Sequence, residues 1–371
     1  MQYHPWLDWL KVIGMAIIVF GHTGGDSLIP GIFNPINPKQ LGVALFVFVT
    51  AFTLAKEKRD GVRVIFNRFF EVAVLGLLLC VLLSFVQMIR IGSPNLTNYL
   101  PYFFGINVIW ENAFPANPTT WYVGTYLHLL IAWACVLRWL PVTWWSFLIL
   151  LGVEILVRAS WMSVNRDFNA YMILTSWMTV FWMGTILGRR FESEPTLPLP
   201  LPLPLPLPLS LPLSPALRRC LAVVGCAAMM AGWLWVVKRL GIDKSNPFGR
   251  IVVGGTAATA ITTSAAVTLL YSVYTPLIIG MVFGLPAGRF IRFLSQNTLL
   301  VFLAHMPVRD WVTPLYYPWM PGGWWRQLAN FLVLFVGIAM VSEALRRSLR
   351  AARLRDWFAS KLFPKAAPTP T

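Results

Sequence analysis

Charge is scarce in this chain. Asp, Glu, Lys and Arg make up only 12% of its residues, against roughly 25% in an average soluble domain. Carboxylates are the scarcer sign, 14 against 30 Lys and Arg. Cysteine is limited to four residues. Cys80, Cys135, Cys220 and Cys226 fall in apolar stretches with no CxxC and no ligand spacing, so neither a disulfide framework nor zinc is indicated and core packing is expected for each. Also missing are a Walker loop, a dinucleotide fingerprint, an HExxH pair and a GxSxG elbow, which leaves phosphate hydrolysis, hydride transfer, zinc proteolysis and serine hydrolysis without support. No metal site and no tightly bound cofactor are expected.

What the chain has instead is apolar length. Residues of the hydrophobic set make up 57% of it, and a bilayer core about 30 Å thick needs about 20 such residues per helical crossing. Hydropathy and loop charge place about ten stretches of this kind, at 10–29, 41–55, 69–90, 119–138, 143–160, 170–188, 217–237, 251–284, 293–311 and 325–345. The expected fold is all-α, a polytopic integral membrane helical bundle. The eighth stretch is too long for one straight crossing; its small-residue run GGTAATAITTSAA would let it pack tightly against neighbours, or it breaks into two pieces near Pro276. Residues 1–25 have some of the look of a signal peptide, but Asp8 sits in the polar start and no small-x-small cleavage site follows, so they are taken as the first span.

The net charge of +16 reads as topology. With both termini in the cytoplasm, the inner loops collect Lys56, Lys58, Arg59, Arg63, Arg68, Arg138, Arg189, Arg190, Arg218, Arg219, Arg289 and Arg292, in agreement with the positive-inside rule. Lys238, Arg239, Lys244 and Arg250 remain outside. A nucleic-acid face would gather basic residues and aromatics on a soluble surface, and none is found; the tail Arg346, Arg347, Arg350, Arg353 and Arg355 suits anionic lipid headgroups.

The chain divides into an N-terminal membrane part (1–194), a Leu-Pro linker (195–215), a C-terminal membrane part of the same domain (216–345) and a basic cytoplasmic tail (346–371). In the linker, TLPLPLPLPLPLPLSLPLSP has proline at alternate positions, which removes backbone donors and forbids a helix. As polyproline II it spans roughly 60 Å at about 3.1 Å per residue and serves as a spacer. The longest outer loop, about 91–120, holds Tyr99, Tyr102, Phe103, Phe104, Trp110 and Phe114, followed by Trp121 and Tyr122. Such faces suit sugar rings, and they equally suit anchoring at a membrane interface.

The first span, DWLKVIGMAIIVFGH, separates Lys11 from His22 by eleven residues, close to three helical turns. Both side chains therefore share one face, about 16 Å apart along the axis. Lys11 at the cytoplasmic interface would put His22 near the bilayer midplane. Ionisable groups inside a span are costly and point to function by default, and histidine is the usual general base near neutral pH. A purely structural explanation has His22 hydrogen-bonding across helices and Lys11 snorkelling to the headgroups.

With these residues in view, the chain resembles acyltransferase family 3, membrane O-acyltransferases of bacterial polysaccharides such as exopolysaccharide O-acetyltransferases. The family's first span carries a basic residue, ten intervening residues and a histidine; here the pattern runs from Lys11 to His22, with lysine in place of the usual arginine. LGVALFVFVTAFTLAKE is similar to the family's second span, TTWYVGTYLHLLIAW to its tryptophan-led span, and FLSQNTLLVFLAH, ending in His305, to its late aliphatic-histidine span. The family's paired arginines appear only as RVIFNR, with Arg63 and Arg68 spaced differently. Where many relatives carry a glutamate after the tryptophan motif, this chain has Tyr126 and His128, to which no role is given.

The resemblance implies an acyl-CoA donor, acetyl-CoA foremost, entering from the cytoplasm of a bacterial inner-membrane protein. Its phosphates would meet Lys11, Arg63 and Arg68, and its thioester would reach His22, the base for a hydroxyl of an exopolysaccharide or a lipid-linked oligosaccharide. Trp121, Tyr122 and His305 would line the acceptor side. The expected partners are thus acyl-CoA, a saccharide and membrane lipids, with no nucleic acid. A transporter or flippase for a saccharide or lipid-linked precursor is the alternative, because ten spans with polar residues at mid-membrane also describe carriers; no internal repeat between the halves supports it.

Overall fold

Each long apolar stretch becomes a helix, and the polar residues beside it set where it begins. Asp60 caps the third helix by accepting from the Arg63 backbone N–H at 3.1 Å, Thr143 does the same for Ser146 at 3.2 Å, and Thr256 for Thr259 at 3.3 Å. Pro5 opens the first helix, at a position where no backbone donor is needed. The computed structural model describes residues 3–23, 38–93, 99, 105–109, 120–164, 166–193, 214–240, 256–320 and 323–363. The Leu-Pro run and, in the outer loop, Tyr102, Phe103, Phe104, Trp110 and Phe114 lie outside the described residues.

The main helices are α1 Pro5–His22, α2 Pro38–Leu54, α3 Gly61–Ile91, α4 Trp121–Ala132, α5 Trp144–Ser163, α6 Asp167–Met172, α7 Met178–Ser193, α8 Pro215–Leu240, α9 Ala257–Val282, α10 Arg289–Trp311, α11 Trp324–Leu332, α12 Ile338–Leu349 and α13 Ala351–Leu362. A π-helical turn, Trp133–Leu137, extends α4, and another, Val333–Gly337, joins α11 to α12. No strand occurs among the described residues.

Among the described residues, five helices are long and apolar enough to cross a membrane: Gly61–Ile89, Trp144–Ser163, Pro215–Trp233, Ala257–Val282 and Trp325–Leu349. Over their described residues the other expected spans are largely helical too. Of these, α2 and α4 fall short in length, while α1 contains Asp8 and Lys11 and α10 contains Arg289, Arg292, Arg309 and Asp310. Among the described residues, length and composition alone thus support five of the ten expected spans. One boundary also differs from expectation. The first helix closes at His22 and starts at Pro5, because the proline start and the Thr23 turn set its ends. Of the two alternatives for the eighth stretch, its described residues take the unbroken one, a single helix Ala257–Val282 with Pro276 accommodated inside it.

Helix α2 sits at the centre of the bundle, packed between α1 and α7 and touched by α9. Glycine makes this closeness possible. A Cβ on Gly42 would lie 2.3 Å from the Gly14 carbonyl oxygen, and Cβ atoms on Gly184 and Gly188 would lie 2.6 Å from the carbonyl oxygens of Phe48 and Phe52. Gly184 and Gly188 form a small-xxx-small pair, the device by which membrane helices bring backbones together. Helix α10 packs on α1, α3 and α12. Arg350, at φ 47°, reverses the chain, and α13 folds back on α3 through Phe358 against Phe70 at 5.8 Å and Phe363 against Phe66 at 5.7 Å.

The outer surface is apolar. Val81, Leu82, Phe85 and Ile89 on α3, Ile149 and Leu156 on α5, and Val223 and Val224 on α8 are exposed, an array that lipid solvates and water does not. On the same account Cys135 and Cys220, expected in the core, are exposed on outward faces, whereas Cys80 is buried. Inside, α5 carries an ion pair that is fully buried. Arg158 Nη2 donates to Glu154 Oε1 at 2.7 Å and to the Ser176 carbonyl at 2.5 Å, and Nη1 to Thr268 Oγ1 at 2.6 Å and the Ser264 carbonyl at 3.1 Å. Glu154 Oε2 accepts from the Thr179 backbone N–H at 2.7 Å. One pair therefore ties α5 to α7 and α9.

Candidate active site

The uninterrupted helix α1 carries Lys11 and His22 on one face, as their spacing requires. His22 is its last residue, and Arg309 of α10 donates to the His22 carbonyl at 3.2 Å. Across the α1–α10 contact, His22 Nδ1 lies 2.8 Å from His305 Nε2, with the two rings inclined by 27°. His305 is fully buried, and its Nδ1 lies 2.8 Å from the Phe302 carbonyl oxygen and 3.0 Å from that of Val301. Two histidines at opposite ends of the sequence thus form a direct pair.

Phe302 extends the site from this pair. Its ring is 6.2 Å from that of His305 and 5.4 Å from that of Tyr122. Tyr122 lies 6.2 Å from Tyr126, one turn further along α4. Tyr126 in turn meets Arg68 of α3, which hydrogen-bonds its hydroxyl and donates to Thr53 Oγ1 of α2 at 2.8 Å. Trp121 adjoins Tyr122 at 5.7 Å, but its ring faces Tyr171 at 4.6 Å and Trp177 at 6.5 Å.

Lys11 completes the other end. The charges acting on it are those of Asp8, Arg68 and Arg346. The Asp8 carboxylate is already engaged by the Tyr3 hydroxyl and by Ser295 Oγ. Among the described residues no carboxylate forms an ion pair with Lys11 or Arg68. Glu57, in the turn after α2, is held below the usual carboxylate range by its hydrogen bonds to Arg59. Lys11 and Arg68 thus act on each other electrostatically, with Asp8 also acting on Lys11, and neither is ion-paired, an arrangement that suits an anionic ligand.

Of the seven residues singled out in the sequence, His22, His305, Tyr122, Arg68 and Lys11 belong to one connected set, with Trp121 at its edge. Arg63 does not join them. Five residues along a helix turn a side chain by about 140°, and Arg63 lies instead over the Phe363 ring at 6.0 Å, beside α13. Three residues went unassigned in the sequence. Tyr126 is marked there only by its i, i+4 relation to Tyr122. The Glu154–Arg158 pair is visible as opposite charges at i, i+4 inside an apolar stretch, a signal strong enough to have been used.

The comparisons with known proteins bear on what this set does. No curated protein and no solved structure matches the chain. The family model described as an acyltransferase domain, that of acyltransferase family 3, matches residues 4–343, nearly the whole chain and every residue of the connected set. The protein is a member of acyltransferase family 3, a helical membrane acyltransferase.

Proposed function

We propose that the protein transfers an acetyl group from acetyl-CoA to a hydroxyl of an exopolysaccharide or of its lipid-linked saccharide precursor, in a bacterial inner membrane with both termini in the cytoplasm. The observation that carries the reading is that one continuous helix presents both parts of such a site. Lys11, beside Arg68 and without an ion-paired carboxylate, suits the phosphates of the donor. His22, about 16 Å further along the helix, suits its thioester. Arg63, turned to Phe363, has at most an outer part in steering the donor.

In this reading the acceptor hydroxyl approaches the C-terminal end of α1. His22 takes the hydroxyl proton as the oxygen attacks the thioester carbonyl, the carbon–sulfur bond breaks, and the thiolate leaves with the proton that His22 returns. Tyr122 and Trp121 border the acceptor side. Loss of the base is expected to cost on the order of 100 to 10,000-fold in rate.

The test is thiol release from acetyl-CoA by protein purified in detergent, with donor affinity measured by calorimetry. His22→Gln should bind acetyl-CoA with wild-type affinity and release almost no thiol. Near-normal release by His22→Gln would remove His22 from the chemistry. A carrier would leave the thioester intact in every variant.

A further inference from the structure

We infer that His305 is a positioning residue: through a hydrogen bond anchored on the α10 backbone it holds His22 in the tautomer whose basic nitrogen is Nε2. The inference deepens the proposed acyl transfer and, as to catalysis, rests on it. Its geometry stands independently.

His305 Nδ1 lies 2.8 Å from the Phe302 carbonyl oxygen and 3.0 Å from the Val301 carbonyl oxygen. A carbonyl has no proton to give, so in both contacts Nδ1 is the donor and carries the hydrogen. A neutral imidazole has one N–H, which leaves His305 Nε2 as an acceptor. That acceptor lies 2.8 Å from His22 Nδ1. Its partner must therefore donate, and the hydrogen of neutral His22 resides on Nδ1. The basic lone pair of His22 is then on Nε2, the nitrogen directed away from His305.

Placement explains why this order is held. His305 is fully buried, and the backbone of its own helical turn supplies the two oxygens, so its tautomer is set by a rigid element. A doubly protonated His305 would add a cation beside Arg309, which already reaches the His22 carbonyl at 3.2 Å. When His22 receives a proton on Nε2, its Nδ1–H still points at His305 Nε2, and the hydrogen bond becomes charge-assisted and stronger. The fixed partner thus orients the neutral imidazole of His22 and steadies its protonated form, as the third member of a nucleophile–base–orienter set does.

The test separates tautomer from turnover. Imidazole nitrogen spectra of the full-length, 15N-histidine-labelled protein in detergent should show wild-type His22 protonated at Nδ1. His305→Gln keeps an acceptor facing His22 without a titrating proton, and His305→Leu removes it. The His22 Nδ1–H form should persist in His305→Gln and be lost in His305→Leu. Thiol release from acetyl-CoA should stay within about tenfold of wild type in the first and fall on the order of 100-fold or more in the second, with KM for acetyl-CoA unchanged. Wild-type His22 found protonated at Nε2 would overturn the inference. So would a His305→Gln variant as inactive as His305→Leu with its tautomer intact, since His305 would then be handling a proton itself. Absence of thiol release from the wild type would refute the acyl-transfer reading and leave the spectra to decide the tautomer.

Discussion

A buried charge must be matched where it sits, and the two charged groups of residues in this protein are matched in opposite ways. Glu154 and Arg158 satisfy each other and five further groups, so their role is to hold helices. Removing one partner strands the other, at a cost of about 3–5 kcal/mol, whereas replacing both with apolar residues costs much less. Glu154→Leu or Arg158→Met should therefore lower the thermal midpoint in detergent sharply, and the double variant should recover much of the loss. Equal losses in single and double variants would reject the pair as a unit. Lys11 and Arg68, by contrast, lack an ion-paired anion within the described protein. Lys11→Ala and Arg68→Ala should each weaken acetyl-CoA binding in calorimetry, and added salt should weaken the wild type as well. Unchanged donor affinity in Lys11→Ala would leave membrane topology as the explanation of that lysine.

At the scale of elements, the position of α1 follows from how closely α2 is gripped. The Gly14–Gly42 contact sets the α1–α2 separation and the Gly184/Gly188 pair sets that of α2 and α7. A side chain at either place collides with backbone, which cannot rotate away, and overpacking of this kind costs about 1–3 kcal/mol or more. Gly42→Val and Gly188→Val should lower the thermal midpoint of the purified protein. Gly42→Val should also disturb the α1 face that carries Lys11 and His22 and reduce thiol release. Gly152 serves as a control, because a Cβ there meets nothing within 4 Å and alanine in a helix interior is favoured over glycine. A Gly42→Val variant as stable as Gly152→Ala would show that the α1–α2 contact is looser than the structure has it.

For the whole molecule, the question is what joins its halves. The site draws on both, since His22, Lys11, Arg68 and Tyr122 precede the Leu-Pro run and His305 follows it. The halves meet through packing of α1 with α10, α2 with α9 and α5 with α9, and through specific bonds: Ser295 Oγ to Asp8 at 2.6 Å, Trp9 Nε1 to the Pro286 carbonyl at 3.0 Å, and the Arg158 bonds to α9. These contacts hold the halves together without help from the linker. Shortening the linker by several Leu-Pro units should therefore leave thiol release unchanged at equal membrane abundance. Lost activity with normal abundance would assign the linker a role beyond spanning.

The sequence by itself determined the helices and the class of solvent, because helical hydrogen bonds are local and the apolar run length is written directly in the chain. It also determined the shared face of Lys11 and His22, which follows from helical pitch alone. Tertiary structure decided the partners. His305 meets His22 across 283 positions, Tyr126 of α4 meets Arg68 of α3, and Arg63 is turned toward α13 and away from the site. It decided as well that Cys135 and Cys220 face outward. Pitch orders residues along one helix. Which helix faces which depends on where small residues let backbones approach and where buried polar groups find their hydrogen-bond partners, and those conditions are met only when distant segments pack together.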